Sequence, residues 1–254
     1  HAESALGALE DAGLSKKDVD AYYCAGDAPG LGPLSMIDYM GLKCDHVDST
    51  DTGGSSYVVH VGHAAAAIAA GKCKVALITL AGRPRAEGMA TGTAPRPPSG
   101  TPAPDVEFEY PYGPTVVNMY AQCAARHMYE FGTTSEQLAW IKVAASTHAQ
   151  YNPHALLQKV VTVEEVVNSP MIASPLHRLD CCVITDGGGA IVVVAPEIAK
   201  SLNRPKVKVM GHGEAVKIQH GGKLDLTHTA AVWSGPKAFE EAGCKPADID
   251  YASI

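Results

Sequence analysis

The apolar positions of this chain recur in two periods, and the changes from one to the other lay out its elements. Leu6 and Leu9, among small alanines, hold helical spacing from Ala2 to Gly13, which predicts an amphipathic helix closed by a glycine C-cap. Leu14–Asp18 reads as a polar turn, and Val19–Cys24 alternates as a strand does. After a Gly/Pro loop at Asp27–Gly32, Leu34–Met40 predicts a short helix and Cys44–Val47 a short strand. Lys74–Leu80 is a continuous apolar run, the mark of a buried strand. Thr115–Phe131 predicts a helix ending at Gly132, and Thr133–Glu136 caps the next, Gln137–Gln150, which stops before Asn152-Pro153. A short helix follows over Thr162–Asn168. Asp180–Ala190 then leads into a strand over Ile191–Ala195, Lys206–Met210 starts another strand, and Thr229–Gly243 forms a last helix.

One stretch differs from the rest. Thr50–Ser56 carries a Gly-Gly elbow and two adjacent hydroxyls, and Tyr57–Gly71 after it is small and apolar on nearly every face. Such a helix is expected in the interior. Its N-terminus offers backbone N–H groups and the positive end of the helix dipole, a place for an anion or a developing oxyanion. We therefore read Gly53, Gly54, Ser55 and Ser56 as the floor of an active site. Ser55 and Ser56 are read either as N-cap groups or as nucleophiles without a visible base. Gly53 and Gly54 open room for a carbonyl or a bulky substrate, with the Ser55 N–H as an oxyanion donor. His60 and His63, at i and i+3 on the helix, are read as core histidines or as a metal pair without a third ligand.

Composition narrows the classes of function. A net charge of −7 argues against nucleic acid as the main partner, since phosphate binding wants a basic face. No apolar run reaches the ~20 residues needed to span a bilayer. Seven cysteines without C-x-x-C spacing fit a reducing cytoplasm rather than a disulfide or zinc framework. Cys181 and Cys182 are read as inert core thiols at the head of a strand. Residues 83–114 hold eight prolines, and the expectation is a loop over a cleft. Tyr110, Tyr112 and Tyr120 border it as possible acids or packing groups. Asp186–Gly189 reads as a tight turn near the site.

The two ends of the chain match. Ala8-Leu9-Glu10-Asp11-Ala12-Gly13 and Asp18-Val19-Asp20 recur as Ala238-Phe239-Glu240-Glu241-Ala242-Gly243 and Asp248-Ile249-Asp250, Ala12 to Ala242 and Asp20 to Asp250 being both 230 residues apart. A duplicated βαβ unit explains this. Its second copy stops four residues after Asp250, and the chain opens at His1 rather than Met, so the expectation is a fragment of a longer protein.

These features resemble the thiolase superfamily, in the branch of the sterol-carrier-protein-type thiolases, over nearly the whole chain. The Ala67-Ile68-Ala69-Ala70-Gly71 helix end, the Asn152-Pro153 pair, and Leu179–Cys182 followed by Thr185–Gly188 carry the likeness, with the duplication. The resemblance implies an α/β thiolase fold: duplicated βαβ halves stacked as α-β-α-β-α layers, with an inserted loop and helical region and an incomplete second half. The first half would be 1–82 with 180–200, the insertion over the active site 83–179, and the start of the second half 201–254. Family members carry a reactive Cys seventeen residues before the glycine at the helix end. Seventeen residues before Gly71 stands Gly54, so the nucleophile is missing. The family's other catalytic motifs would lie beyond Ile254, among them a second Cys and a Tyr or His base.

The resemblance implies an acyl-CoA-handling enzyme without a cysteine acyl-enzyme, which points to retro-aldol cleavage of a β-hydroxyacyl-CoA. The alternatives are a conventional thiolase or acyltransferase with a Cys beyond Ile254, and a non-catalytic lipid- or acyl-CoA-binding subunit. Coenzyme A would enter as part of the substrate, with no bound cofactor and no metal. Arg83, Arg85, Arg96 and Arg126 are candidates for its phosphates, with Tyr112 and Asn152 also set against substrate. A homodimer is implied, with a small OB-fold/zinc-finger subunit as a further partner.

Overall fold

The computed structural model describes residues 1–91, 112, 115–218 and 224–253. The chain divides into two units: residues 1–83, 186–218 and 229–254 form the first, and residues 84–185 and 219–228 the second.

The first unit is built on a four-stranded sheet. Helix α1 (Ala2–Ala12) stops at Gly13, whose φ of 72° is the left-handed turn that the glycine was expected to supply. Strand β1 (Ala21–Tyr23), helix α2 (Pro33–Met40), strand β2 (His46–Asp48), helix α3 (Ser56–Ala69) and strand β3 (Val75–Gly82) follow in order. β1 lies between β2 and β3 and is parallel to both. Two crossover connections thereby bring the loop before α3 to the carboxyl end of the sheet, where open α/β sheets place their ligands. Alternation sorts the side chains. Tyr22 and Leu77 face Ala5, Leu9, Met36 and Met40 on one side. Ala21, Tyr23, Ala76 and Ile78 face Ala64 and Ala67 of α3 on the other.

The second unit begins with α4 (Val116–Phe131) and α5 (Ser135–Ala149), continues with the short α6 (Val163–Val167), and adds the hairpin of β4 (Met171–Ala173) and β5 (Leu176–His177). Thr115 and Thr134 cap the two long helices, and Thr134 forms a reciprocal capping box with Gln137. Thr162 does the same with Glu165 for α6. Ala139, Val161 and Val166 form its core. Arg96, Tyr110 and most of the proline-rich stretch lie outside the described residues.

The chain returns to the sheet with β6 (Gly187–Val194), antiparallel to β3, and continues through α7 (Pro196–Ser201) to α8 (Ala231–Ala242). Four expectations change here. Gly187–Gly189 is strand, not turn, pairing with Leu80–Gly82. A Cβ at Gly188 would stand 2.9 Å from the Leu80 carbonyl and the Ser4 hydroxyl, so glycine lets α1 approach the sheet. Lys206–Met210 forms no strand, since no described strand pairs with it. The residues just after it lie against α8, where Cβ atoms at Gly211 and Gly213 would collide with the helix backbone. Cys181 and Cys182 precede the strand and are half-buried and exposed, not core thiols. Finally, α3 buries one face through Ser56, His60, Ala64 and Ala67, while Val58 is 68% exposed. An apolar sequence on all faces does not tell which face the sheet takes.

Candidate active site

The loop between β2 and α3 is held by short hydrogen bonds from its own side chains. Asp48 at the end of β2 accepts from the Thr50 N–H and hydroxyl, both at 2.9 Å. Asp51 accepts from the Gly53 N–H at 3.0 Å, and Gly26 leaves the space its carboxylate occupies. Gly53 sits at φ 70°, a conformation that side chains rarely adopt. The buried Ser56 hydroxyl accepts from the Thr52 N–H at 2.8 Å and donates to the Gly53 carbonyl at 2.6 Å. Ser55 donates to the Thr52 carbonyl at 3.0 Å. Neither hydroxyl makes a side-chain cap to the helix. Both tie the loop together, so the expected side-chain cap gives way to loop closure.

Two histidines of α3 hold this loop from beneath. His60 is fully buried, and its Nε2 lies 2.9 Å from the Thr50 carbonyl. A carbonyl only accepts, so Nε2 carries the proton. Burial lowers its pKa and outweighs the pull of Asp48, keeping the ring neutral. His63 is different. Its Nδ1 lies 2.6 Å from Asp48 Oδ2 and its Nε2 2.8 Å from Glu214 Oε1. Burial acts against charging the ring, but the Asp48 hydrogen bond and the Glu214 charge hold the pKa above its ordinary value. The Glu214 oxygen also takes the His212 Nε2 at 2.7 Å. Gly62 makes this possible, because a Cβ there would overlap the His212 ring. Among the described residues, no group of three or more His, Cys, Asp or Glu side chains is arranged to hold a metal ion.

Asp27 forms a second centre at the carboxyl end of β1. Its carboxylate accepts from the Ala81 N–H at 3.0 Å and from the Tyr57 phenol, and stands 3.4 Å from the His1 ring. Burial and this carboxylate raise the Tyr57 pKa, so the phenol stays a donor. Burial likewise pushes the Cys24 and Cys44 thiols up to about 11 and raises Cys73. None of the three is an activated thiolate.

The chain can now be set beside known proteins. No family model matches it. It is 34% identical over 259 residues to an acetyl-CoA acetyltransferase of Methanothermobacter thermautotrophicus, covering 99% of this chain and 66% of the relative. It is also 34% identical to the 17-hydroxy-3-oxo-4-pregnene-20-carboxyl-CoA lyase of Mycobacterium tuberculosis, covering 100% of this chain and 68% of that enzyme. The chain belongs to the thiolase superfamily. A solved structure named Ltp2-ChsH2(DUF35) aldolase superposes with a TM-score of 0.80 at 28% identity, covering 98% of this chain and 65% of that one. The fold is accordingly the thiolase fold, and the chain spans about two thirds of the length of these relatives.

Of the predicted residues of this thiolase relative, Gly53, Gly54 and Ser55 are exposed at the head of α3. A Cβ at Gly54 meets nothing within 4 Å, so the position counted for the nucleophile is open space. Arg83, at the end of the first unit, is exposed, as are Arg85, Tyr112 and Asn152 in the second. Arg126 pairs with Glu130 one turn on and lies 6.0 Å from the Tyr129 ring. The Asn152 side-chain oxygen Oδ1 accepts from the His154 N–H at 3.0 Å, a local turn after α5. Sequence reasoning passed over Asp48, His212 and Glu214, since nothing in their spacing joins positions 48 and 214. The one signal was Gly62 inside an alanine-rich helix, where glycine weakens the helix unless something must come close.

Proposed function

We propose that this chain is the larger part of an acyl-CoA lyase that cleaves a β-hydroxyacyl-CoA by retro-aldol chemistry. The observation that carries this reading is Gly54: the counted nucleophile position has no side chain and open space around it. Thiolysis needs a thiolate to take the acyl group as a thioester. A retro-aldol step does not. A base removes the β-hydroxyl proton, the Cα–Cβ bond breaks, and its electrons enter the thioester as an enolate. Protonation of that enolate leaves a shortened acyl-CoA beside a ketone or aldehyde. The backbone N–H of Ser55, at the positive end of α3, would hold the enolate oxygen. The lyase and aldolase names of two relatives support the same chemistry.

In this reading coenzyme A is part of the substrate and no cofactor is required. Arg83, Arg85 and Arg126, with Tyr112 and Asn152, would line its path. Residues 1–82 with 180–200 would make the first thiolase half, 83–179 the inserted loop and helical region, and 201–254 would open the second half. The protein would work in the cytoplasm; none of its described helices is long and apolar enough to cross a membrane. It would form a homodimer and take a small OB-fold/zinc-finger subunit, as the two-component name of the solved aldolase suggests.

The second reading is acyl transfer, favoured by the acetyltransferase relative that matches 99% of the chain. One experiment separates them. The full-length protein is incubated with a β-hydroxyacyl-CoA in the absence of free coenzyme A, and products are read by mass spectrometry. A shortened acyl-CoA with a ketone or aldehyde is the expected result. Cleavage of a β-ketoacyl-CoA that depends on free coenzyme A establishes acyl transfer instead.

A further inference from the structure

His63 is bonded in a way that one protonation state satisfies. Its two ring nitrogens each face a carboxylate oxygen, Asp48 Oδ2 at 2.6 Å and Glu214 Oε1 at 2.8 Å. A carboxylate accepts and does not donate, so both contacts are hydrogen bonds when both nitrogens carry protons. The Glu214 oxygen is not the donor instead, because the His212 hydrogen bond and the charge of His63 hold its carboxyl below the usual range, as an ionised acceptor. His212 is fixed in turn by its backbone N–H donating to Glu241 of α8 at 3.0 Å, and Lys237 of α8 donates to the Glu214 carbonyl at 2.9 Å. On the other side, Asp48 binds the Thr50 N–H and hydroxyl through its second oxygen. A continuous chain of hydrogen bonds thus runs from α8 through Glu214 and His63 to the loop that holds Gly53 and Gly54.

We propose that His63, as an imidazolium clamped between Asp48 and Glu214, is a positioning residue that ties the loop at the head of α3 to the 206–218 segment. Loss of one proton leaves two carboxylates facing a ring with a single N–H, so one link opens and the loop loses its anchor. The ring is about one third exposed, which lets that proton leave to solvent. The charged and titratable groups that face it are Asp48 from β2, Glu214 and His212 from the 206–218 segment, and the neutral His60 one turn back on α3, with Lys237 and Glu241 of α8 behind them. Asp48 and Glu214 both remain ionised: the hydrogen bonds of His63 and Thr50 outweigh burial at Asp48, and the His212 hydrogen bond leads at Glu214. The loop's catalytic meaning rests on the proposed lyase reading; the clamp itself does not.

The test uses the full-length protein, with histidine rings labelled for NMR and His63 assigned by its loss in His63→Gln. The expected result is a His63 titration midpoint above that of a free histidine, moved downward by Glu214→Gln. Protection of the amides across residues 50–56, corrected for the intrinsic rise of exchange with pH, should fall about tenfold or more above the same midpoint. In turnover of a β-hydroxyacyl-CoA, kcat should fall with that midpoint and its alkaline limb should move with Glu214→Gln, while KM changes by less than about twofold. Glu214 is half-exposed, so its amide variant keeps the test open if His63→Gln does not fold. A midpoint at or below the free value, or loop exchange indifferent to it, overturns the clamp. Absence of turnover with every β-hydroxyacyl-CoA defeats the lyase reading alone, because the NMR and exchange readings still decide the clamp.

Discussion

At the scale of single residues, the site is defined by side chains that are missing. Gly62 gives its Cβ position to the His212 ring, and Gly26 gives its own to Asp51. Gly62→Ala gains helix propensity but pushes the His212 imidazole off Glu214. We expect a net loss of about 1–3 kcal/mol, as overpacking costs, read as a lower urea midpoint at unchanged slope. Gly54 is the opposite case. Nothing lies within 4 Å of its Cβ position, so its lack of a side chain serves the space above the loop rather than packing below it.

At the scale of elements, caps account for much of what can be read locally. Thr134 accepts from the Gln137 N–H at 3.3 Å while its own N–H donates to the Gln137 side chain at 2.8 Å. Thr134→Ala should cost about 1 kcal/mol and loosen the first turn of α5, measured by denaturation and by amide exchange there. The glycine that ends α1 and the threonines that start α4, α5 and α6 were legible because capping depends on residues within one turn. β6 was not legible at its start. Three glycines read as a turn until a neighbouring strand supplies hydrogen bonds and a helix needs close approach.

At the scale of the molecule, two histidines one turn apart set opposing limbs of the stability curve. The raised His63 pKa gives stability that is complete below its ordinary value of 6.5 and lost as pH rises through the folded value. The lowered His60 pKa works the other way, with stability complete above 6.5 and lost as pH falls through the folded value. Their combined contribution therefore peaks near 6.5. Asp48, lowered from 3.8, adds a further loss as pH falls below that value. Urea midpoints measured across this range should show the peak, and Glu214→Gln should flatten its alkaline limb while sparing the acid one.

The sequence by itself determined the order of helices and strands from α1 to β3, the glycine and threonine helix ends, the thiolase likeness and the glycine at the position counted for the nucleophile. These rest on periodicity and capping, which act within a few residues, or on a count along the chain. The tertiary structure alone decided that Ser55 and Ser56 close a loop, that α3 leaves Val58 exposed, and that Gly211 and Gly213 lie against a helix. It also turned two expected core histidines into distinct groups, one against a carbonyl and one between two carboxylates. Asp48 and Glu214 approach the same ring across 166 residues of chain, and no local pattern carries a contact of that separation. Burial, charge and hydrogen-bond partners are set by the fold, and with them the protonation of each ring.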